Sequence, residues 1–449
     1  MITDSRALAL AVLLRVAEGA SANAALEQAL AQTELDARDR GLVTELVDGV
    51  LRWQARLDYQ LGQLLERPLS SLPLPIQLVL RLGAYQLTVL ERIPAHAAVN
   101  NAVTLAHQHG HEGTAKLVNA VLRRLERESA TLPFPDREQD PVGYLSTYYS
   151  HPAWLVARWL PRFGFAETEA LLRINNTPPP LTVRVNRRWI TREGLLNIFA
   201  MREIAAEPTP ISPWGLYLTG GGNPREMEAY EEGLISVQGE GSMIMVELLR
   251  PGRNRKGWDM ACGVGGKTTY LAEWTDDSGS LLATDISQER LNILAQETAR
   301  LEFQSVRMFL SDARSYPVEP ASIDYLLLDA PCSGTGSLRR QADARWRKTP
   351  EQLTELTVLQ RELLEAGARA AKPGGILLYC TCSLEPEEDE DIVEAFLADH
   401  PEWTLEDAGE KHKSLPEDAR TPRGYVRLLP HRHNTDGFFA ARLVKQQEG

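Results

Sequence analysis

Three apolar runs of strand length, Ser280–Thr284, Val306–Leu310 and Ile323–Leu328, each stop at or just before an aspartate: Asp285, Asp312 and Asp329. A helical stretch, Gln288–Arg300, lies between the first two, and another, Leu353–Ala371, follows the third and leads to a further apolar run, Ile376–Cys380. Strands alternating with helices need crossover connections, and crossovers build a parallel sheet covered on both faces. Ligands of such sheets gather at the carboxyl ends of the strands, where these acids fall. The pattern begins near Gly233. Trp258–Met260 ends one more strand, the glycine-rich Cys262–Lys267 is a loop, and Thr268–Glu273 opens a helix. Phe438–Val444 reads as a late strand, the antiparallel edge of the sheet.

The first 130 residues carry a different period. Ser5–Ala17, Asp39–Leu65, Leu74–Leu90, Ala97–His107 and Thr114–Arg127 space their apolar residues as helices do. In the last of these, Leu117, Val118, Val121, Leu122 and Leu125 make one stripe, and Lys116, Arg123, Arg124 and Arg127 collect on the other side. That side suits open water and phosphate equally. Proline and charge over Thr131–Pro141 mark a boundary. Beyond it, Pro152–Phe163 and Glu167–Asn175 read as helices and Leu181–Asn186 as a strand. Arg187, Arg188, Trp189 and Arg192 follow as a basic cluster around an aromatic, open to phosphate contact with stacking or to plain solvent. The division is therefore an all-α domain over 1–130, a small mixed α/β connector over 145–235, and an α/β domain over 236–449.

A net charge of −13 sets the chain as a whole against phosphate, so contact with nucleic acid has to come from local patches. No run of about 18 apolar residues offers a membrane span. The start lacks a basic flank followed by an apolar core, so no secretory signal is expected. The four cysteines, Cys262, Cys332, Cys380 and Cys382, all lie in the second half; such usage does not suit a disulfide framework and fits a reducing cytoplasm. A lone C-x-C, at Cys380 and Cys382, is a poor zinc signal, and no metal is expected.

Two loops carry the chemistry. D-A-P-C-S-G-T-G, from Asp329, and Y-C-T-C-S, from Tyr379, each follow an apolar run and each deliver a thiol. A pyrimidine C5 is a poor nucleophile. A thiolate that adds to C6 makes C5 enamine-like; C5 can then take a methyl group, lose its proton and release the thiolate. The thiol must be largely ionised, which needs an electropositive setting. A carboxylate opposite the N3 and N4 edge would hold and polarise the base, and Asp329 is placed for that. Cys262 and Cys380 read as buried packing. The glycines of Asp259–Lys267 let backbone approach a ligand at a helix N-terminus, and Asp285, about twenty residues on, can take both ribose hydroxyls. A loop of this kind does not separate NAD, FAD and S-adenosyl-L-methionine. Asp312 is a third acid where an adenine or sulfonium could lie; singly, Asp285 or Asp312 reads as a helix cap.

The pairing of Pro-Cys and Thr-Cys loops resembles the RNA cytosine-C5 methyltransferase family over roughly residues 150–445. The resemblance implies a Rossmann-like catalytic domain, S-adenosyl-L-methionine as cofactor, Cys382 as nucleophile and Cys332 as the group that assists product release. It makes Ala261, Cys262, Gly263, Val264, Gly265, Gly266 and Lys267 the cofactor loop, with Lys267 also near the reacting base. Asp285, Asp312 and Asp329 line the cofactor and base sites, and Gln238 lies in the segment leading into the catalytic domain. Val264 stands where the family's loop has proline, which leaves that turn less rigid. The helical N-terminal part resembles the RNA-binding NusB fold, through Ala98–Val103 and Lys116–Arg124. The combination is similar to bacterial 16S ribosomal RNA methyltransferases and implies that RNA, free or in an early small-subunit particle, as partner. No obligate protein partner is expected. Arg339, Arg340, Arg345, Arg347 and Lys348 follow the Pro-Cys loop, and RNA phosphate contact is preferred there to a plain basic surface; Arg123 and Arg124 in the helical part are candidates for the same contact. Two alternatives stand beside this: a DNA cytosine-C5 methyltransferase attacking through Cys332, and a non-catalytic RNA-binding assembly factor on the same fold.

Overall fold

The computed structural model describes residues 4–90 and 92–447. The chain divides into two compact units: one runs to Thr177 and also takes in Leu338–Lys348, and the other holds the rest.

The first unit is helical, with Ser5–Ala17, Ala22–Ala31, Ala37–Leu64, Leu74–Thr88, Ala95–His109, Glu112–Glu128, Pro141–Tyr148 and Ala153–Asn175. Asp4, Ser21 and Asp36 start the first three, each side chain accepting an N–H that the first turn leaves unpaired. Ala22–Ala31 was not foreseen. Its alanines give no clear apolar stripe, and only Ser21 announces it. The helices close on a core of Leu10, Leu46, Val79, Val118 and Leu122, among others. Ala153–Asn175 combines two expected helices across a kink at Gly164, whose φ is 76°.

The second unit carries two sheets. The smaller is antiparallel, in the order β2-β3-β1-β4, from β1 (Thr182–Val185), β2 (Ala206–Pro208), β3 (Gly215–Leu218) and β4 (Ile235–Val237). Only β1 was visible in the sequence, because strands of three or four residues are too short to show a period.

The larger sheet contains β5 (Lys256–Asp259), β6 (Ser280–Asp285), β7 (Val306–Leu310), β8 (Ile323–Asp329), β9 (Ala371–Thr381), β10 (Trp403–Glu406), β11 (Val426–Leu428) and β12 (Phe438–Lys445). The order is β10-β12-β9-β8-β5-β6-β7, with β11 also paired to β12. From β9 to β7 the pairings are parallel, and β12 is antiparallel to β9. The order leaves β12 inside the sheet, with β9 on one side and β10 and β11 on the other, so the expectation of an edge strand is corrected. Its first six residues are all buried, as a strand flanked on both sides should be. Apolar cores lie on both faces. No helix among the described residues is long and apolar enough to cross a membrane.

Candidate active site

β8 and β9 are parallel neighbours, with Asp329 in register with Cys380. Their continuations therefore leave the same end of the sheet side by side. Three residues after Asp329 comes Cys332, two after Cys380 comes Cys382, and the two sulfurs lie 3.4 Å apart. Backbone hydrogen bonds stitch the loops together: Ala330 N–H donates to Cys380 O at 2.8 Å, Gly336 N–H to Cys382 O at 2.9 Å, and Gly437 N–H to Gly336 O at 2.8 Å. Cys332 and Cys382 are half-buried, whereas Cys262 and Cys380 are buried. Burial pushes the Cys262 and Cys380 thiols upward, as packing cysteines require.

The two facing thiols are pushed apart in acidity. The hydrogen bond from Cys332 holds Cys382 below the ordinary thiol value against the pull of burial, and the Lys267 ammonium works in the same direction. Cys332 goes the other way: its bond to Cys382, burial and the Glu388 carboxylate all raise it. Of the pair, Cys382 is thus the one that gives up its proton more readily, and Cys332 the one that holds it.

Lys267 Nζ donates to Asp329 Oδ2 at 2.6 Å, and its charge sits 5.2 Å from the Phe438 ring centroid. Burial pulls this ammonium down, but Asp329 and the neighbouring sulfurs outweigh it and carry the group above the usual lysine range. The other Asp329 oxygen accepts the Cys380 thiol at 3.7 Å.

The glycine loop meets the test for a nucleoside-bearing sulfonium such as S-adenosyl-L-methionine. No side chain caps the helix Gly266–Trp274, which leaves its first amides aimed out of the helix end. A Cβ on Gly263 would meet nothing within 4 Å, so the loop borders open space, whereas one on Gly265, at φ +91°, would strike Leu294. Gly265 N–H donates to Cys262 O at 2.9 Å and closes the turn with Val264 in the proline position. Asp285 accepts from Gly263 N–H at 2.9 Å and Ser287 N–H at 2.8 Å. Asp285 Oδ2 also lies 3.7 Å from an Arg290 guanidinium nitrogen, while Oδ1 keeps a lone pair beyond the turn it anchors. Beneath the loop, Asp259 is fully buried. It accepts Thr268 Oγ1 at 2.7 Å, and burial pushes it up to about 7. Asp312 is committed to Arg314, which grips it from two nitrogens at 2.6 and 3.0 Å.

Arg339 and Arg345 do not belong to a phosphate-binding face. Arg345 is fully buried in the helical unit, where it donates to the carbonyls of Arg52, Ser150, Asn175 and Leu338 and to Asn176 Oδ1. Arg339 is buried too and donates to Thr177 O at 3.3 Å. In the one-turn helix Ala344–Arg347 the second residue points inward and the fourth outward, so Arg347 is exposed and pairs with Asp343. Arg340 and Lys348 are half-buried. Arg123 and Arg124 lie on the surface, paired along their own helix with Glu126 and Glu128.

Several residues were not foreseen. Arg184, on β1, is fully buried; it pairs with Glu273 and donates to Gln238 and to Gly266 O in the glycine loop. Gln238 thus steadies that loop indirectly. Glu388 joins Ser333 and Ser383, the residues after the two thiols. The repeated Cys-Ser step is the signal that could have drawn attention to it.

Known proteins agree with this architecture. Residues 246–444 match the family described as 16S rRNA methyltransferase RsmB/F. Residues 3–127 match the NusB family, and 151–224 the ferredoxin-like domain of RsmF/B-like methyltransferases. A probable ribosomal RNA small subunit methyltransferase B of Bacillus subtilis is 34% identical over 99% of both chains. Its namesake in Synechocystis is 37% identical over 94% of both. The crystal structure of PH0851 superposes with a TM-score of 0.80 at 27% identity, covering 98% of this chain and 97% of that one. An all-α NusB domain, a ferredoxin-like connector and a mostly parallel methyltransferase sheet, shared with relatives of the same length, place the chain in the small-subunit ribosomal RNA methyltransferase B family.

Proposed function

We propose that the chain methylates C5 of a specific cytosine in 16S ribosomal RNA, through a covalent bond between Cys382 Sγ and C6 of the base. The observation that carries this is the pair of sulfurs 3.4 Å apart, one favoured as thiolate and the other as thiol. Packing alone gives no reason for two separate strand-end loops to bring their thiols into contact.

S-adenosyl-L-methionine, when bound, supplies an electrophilic methyl group. Ala261–Lys267 and Asp285 hold it in this scheme, and Asp312 joins them on exchanging Arg314. Asp329 faces the N3 and N4 edge of the cytosine, and Lys267, donating to its Oδ2, holds it in place. Cys382 would add to C6 and so make C5 nucleophilic toward the methyl group that the cofactor would supply; a base would then take the C5 proton, and the electron pair of that C–H bond would expel the thiolate from C6. Cys332, bearing a proton beside the departing thiolate, assists release. Arg123, Arg124, Arg340, Arg347 and Lys348 are the candidate phosphate contacts. The relatives named as small subunit methyltransferases support ribosomal RNA as the substrate.

The test uses the full chain and a small-subunit ribosomal RNA transcript. Cys382→Ala is expected to abolish methylation and the trapped adduct with 5-fluorocytosine RNA. Cys332→Ala is expected to leave protein bound covalently to unmodified RNA. The reverse pattern assigns the attack to Cys332 and overturns the scheme, and a wild-type chain that binds no S-adenosyl-L-methionine in calorimetry makes it a binding protein.

A further inference from the structure

We propose that Glu388 is a positioning residue that holds the two thiol loops in register, by gripping the residue that follows each cysteine. Its side chain is fully buried at the end of the short turn Pro386–Glu388. One oxygen accepts Ser333 N–H at 2.7 Å and Gln360 Nε2 at 3.0 Å. The other accepts the hydroxyls of Ser333 and of Ser383, the latter at 2.5 Å. Ser333 follows Cys332 and Ser383 follows Cys382, so one carboxylate spans both loops. Glu388 is itself fixed: Tyr379 Oη donates to its carbonyl at 2.6 Å, and its N–H donates to Glu385 O at 3.1 Å.

The grip is unequal. Ser333 gives Glu388 both its N–H and its O–H. Ser383 gives only its O–H; its N–H goes to Thr381 Oγ1 at 3.1 Å, and its Oγ also accepts Glu385 N–H at 3.0 Å. Gln360 ties the same carboxylate to the Pro-Cys loop again, through Pro331 O at 2.9 Å. The Thr-Cys loop therefore has other supports at Ser383, whereas the Pro-Cys loop, pinned by backbone at Ala330 and Gly336, depends between them on Glu388. Removing the carboxylate should free Cys332 more than Cys382. The first casualty is release of the product, and formation of the covalent bond is affected less. A hydrogen bond to a buried charge contributes enough that its loss is read as roughly a tenfold rate effect or more.

This inference rests on the assignment of Cys382 to attack and Cys332 to release, and the experiment separates the two. Adduct formation is timed with 5-fluorocytosine RNA, and release is read as covalent protein–RNA persisting on unmodified transcript. Glu388→Gln is expected to form the adduct close to the wild-type rate and to turn over roughly tenfold more slowly, with adduct accumulating. Ser333→Ala, which leaves the buried glutamate in place, is expected to do the same, whereas Ser383→Ala is expected to slow adduct formation and accumulate none. As a readout independent of RNA, mass-spectrometric alkylation should show Cys332 more reactive in Glu388→Gln. If Ser333→Ala and Ser383→Ala slow both steps in proportion, or neither, the positioning role is overturned. If Cys382→Ala still forms the adduct, the assignment of the nucleophile has failed instead.

Discussion

At Cys382 the chemistry turns on which of two touching sulfurs carries the proton. The hydrogen bond between them holds Cys382 down and Cys332 up; on Cys382 the Lys267 ammonium works against the Asp329 carboxylate, and on Cys332 the Glu388 carboxylate adds to the rise. Because Cys382 lies below the ordinary thiol value, its thiolate fraction grows at lower pH than that of a free cysteine. Iodoacetamide should alkylate it before Cys332 at neutral pH. In Cys332→Ala the donor is gone, so the midpoint of the Cys382 alkylation profile should move up, with about a tenfold loss of thiolate at fixed pH for each unit moved. Alkylation of Cys332 ahead of Cys382 in the wild-type chain would contradict the polarity. Asp259 offers a second titration. Its raised value, about 7, means that its contribution to stability is full in acid and is lost as pH climbs from about 4 to about 7, where the unfolded chain ionises and the buried group still holds its proton. Asp259→Asn keeps an acceptor for Thr268, so the melting temperature should gain more at pH 8 than at pH 5.

Among the elements, the junction of β8, β9 and β12 has little slack. A Cβ on Gly336 would stand 2.6 Å from Gly437 O and 2.9 Å from Cys382 O, both backbone atoms that cannot rotate aside. Gly336→Ala should cost roughly 1–3 kcal/mol of stability and displace both thiol loops. Methyl transfer should fall sharply while S-adenosyl-L-methionine binding, which involves Ala261–Lys267, is retained in calorimetry. The strands and loops behind this junction were readable because a buried parallel strand is a run of apolar residues that ends abruptly at a polar loop, as at Leu328 and Cys380. Pairing order was not readable. Nothing in the apolar run from Phe438 to Val444 says whether one neighbour or two will flank it, because that depends on β10 and β11, which are short and weakly patterned. The inward turn of Arg345 escaped for a similar reason: a one-turn helix gives no period from which to tell its faces apart.

For the molecule as a whole, the arginines fall into two classes with opposite expectations. Arg345→Leu strands four carbonyls and an amide oxygen in the interior, and burial already pulls this guanidinium down to about 9. It should cost roughly 3 kcal/mol or more, read as a clear fall in melting temperature. Removing Arg123 and Arg124 together should change stability by less than about 0.5 kcal/mol. If they touch RNA, the slope of log affinity against log salt should flatten by roughly one for each residue, and an unchanged slope would remove them from the interface. The net charge of −13 makes such patches selective, since phosphate is repelled elsewhere. The placement of β12 has a consequence for how the chain is made. The last of the described strands in sequence order fills an interior slot beside β9, and Gly437, just before it, closes the clasp on the thiol loops. During synthesis, β9 must wait with one flank bare until that strand emerges, and a chain halted short of Phe438 would expose a sticky, catalytically silent border to its neighbours. Competence therefore arrives only once Phe438–Lys445 has been made.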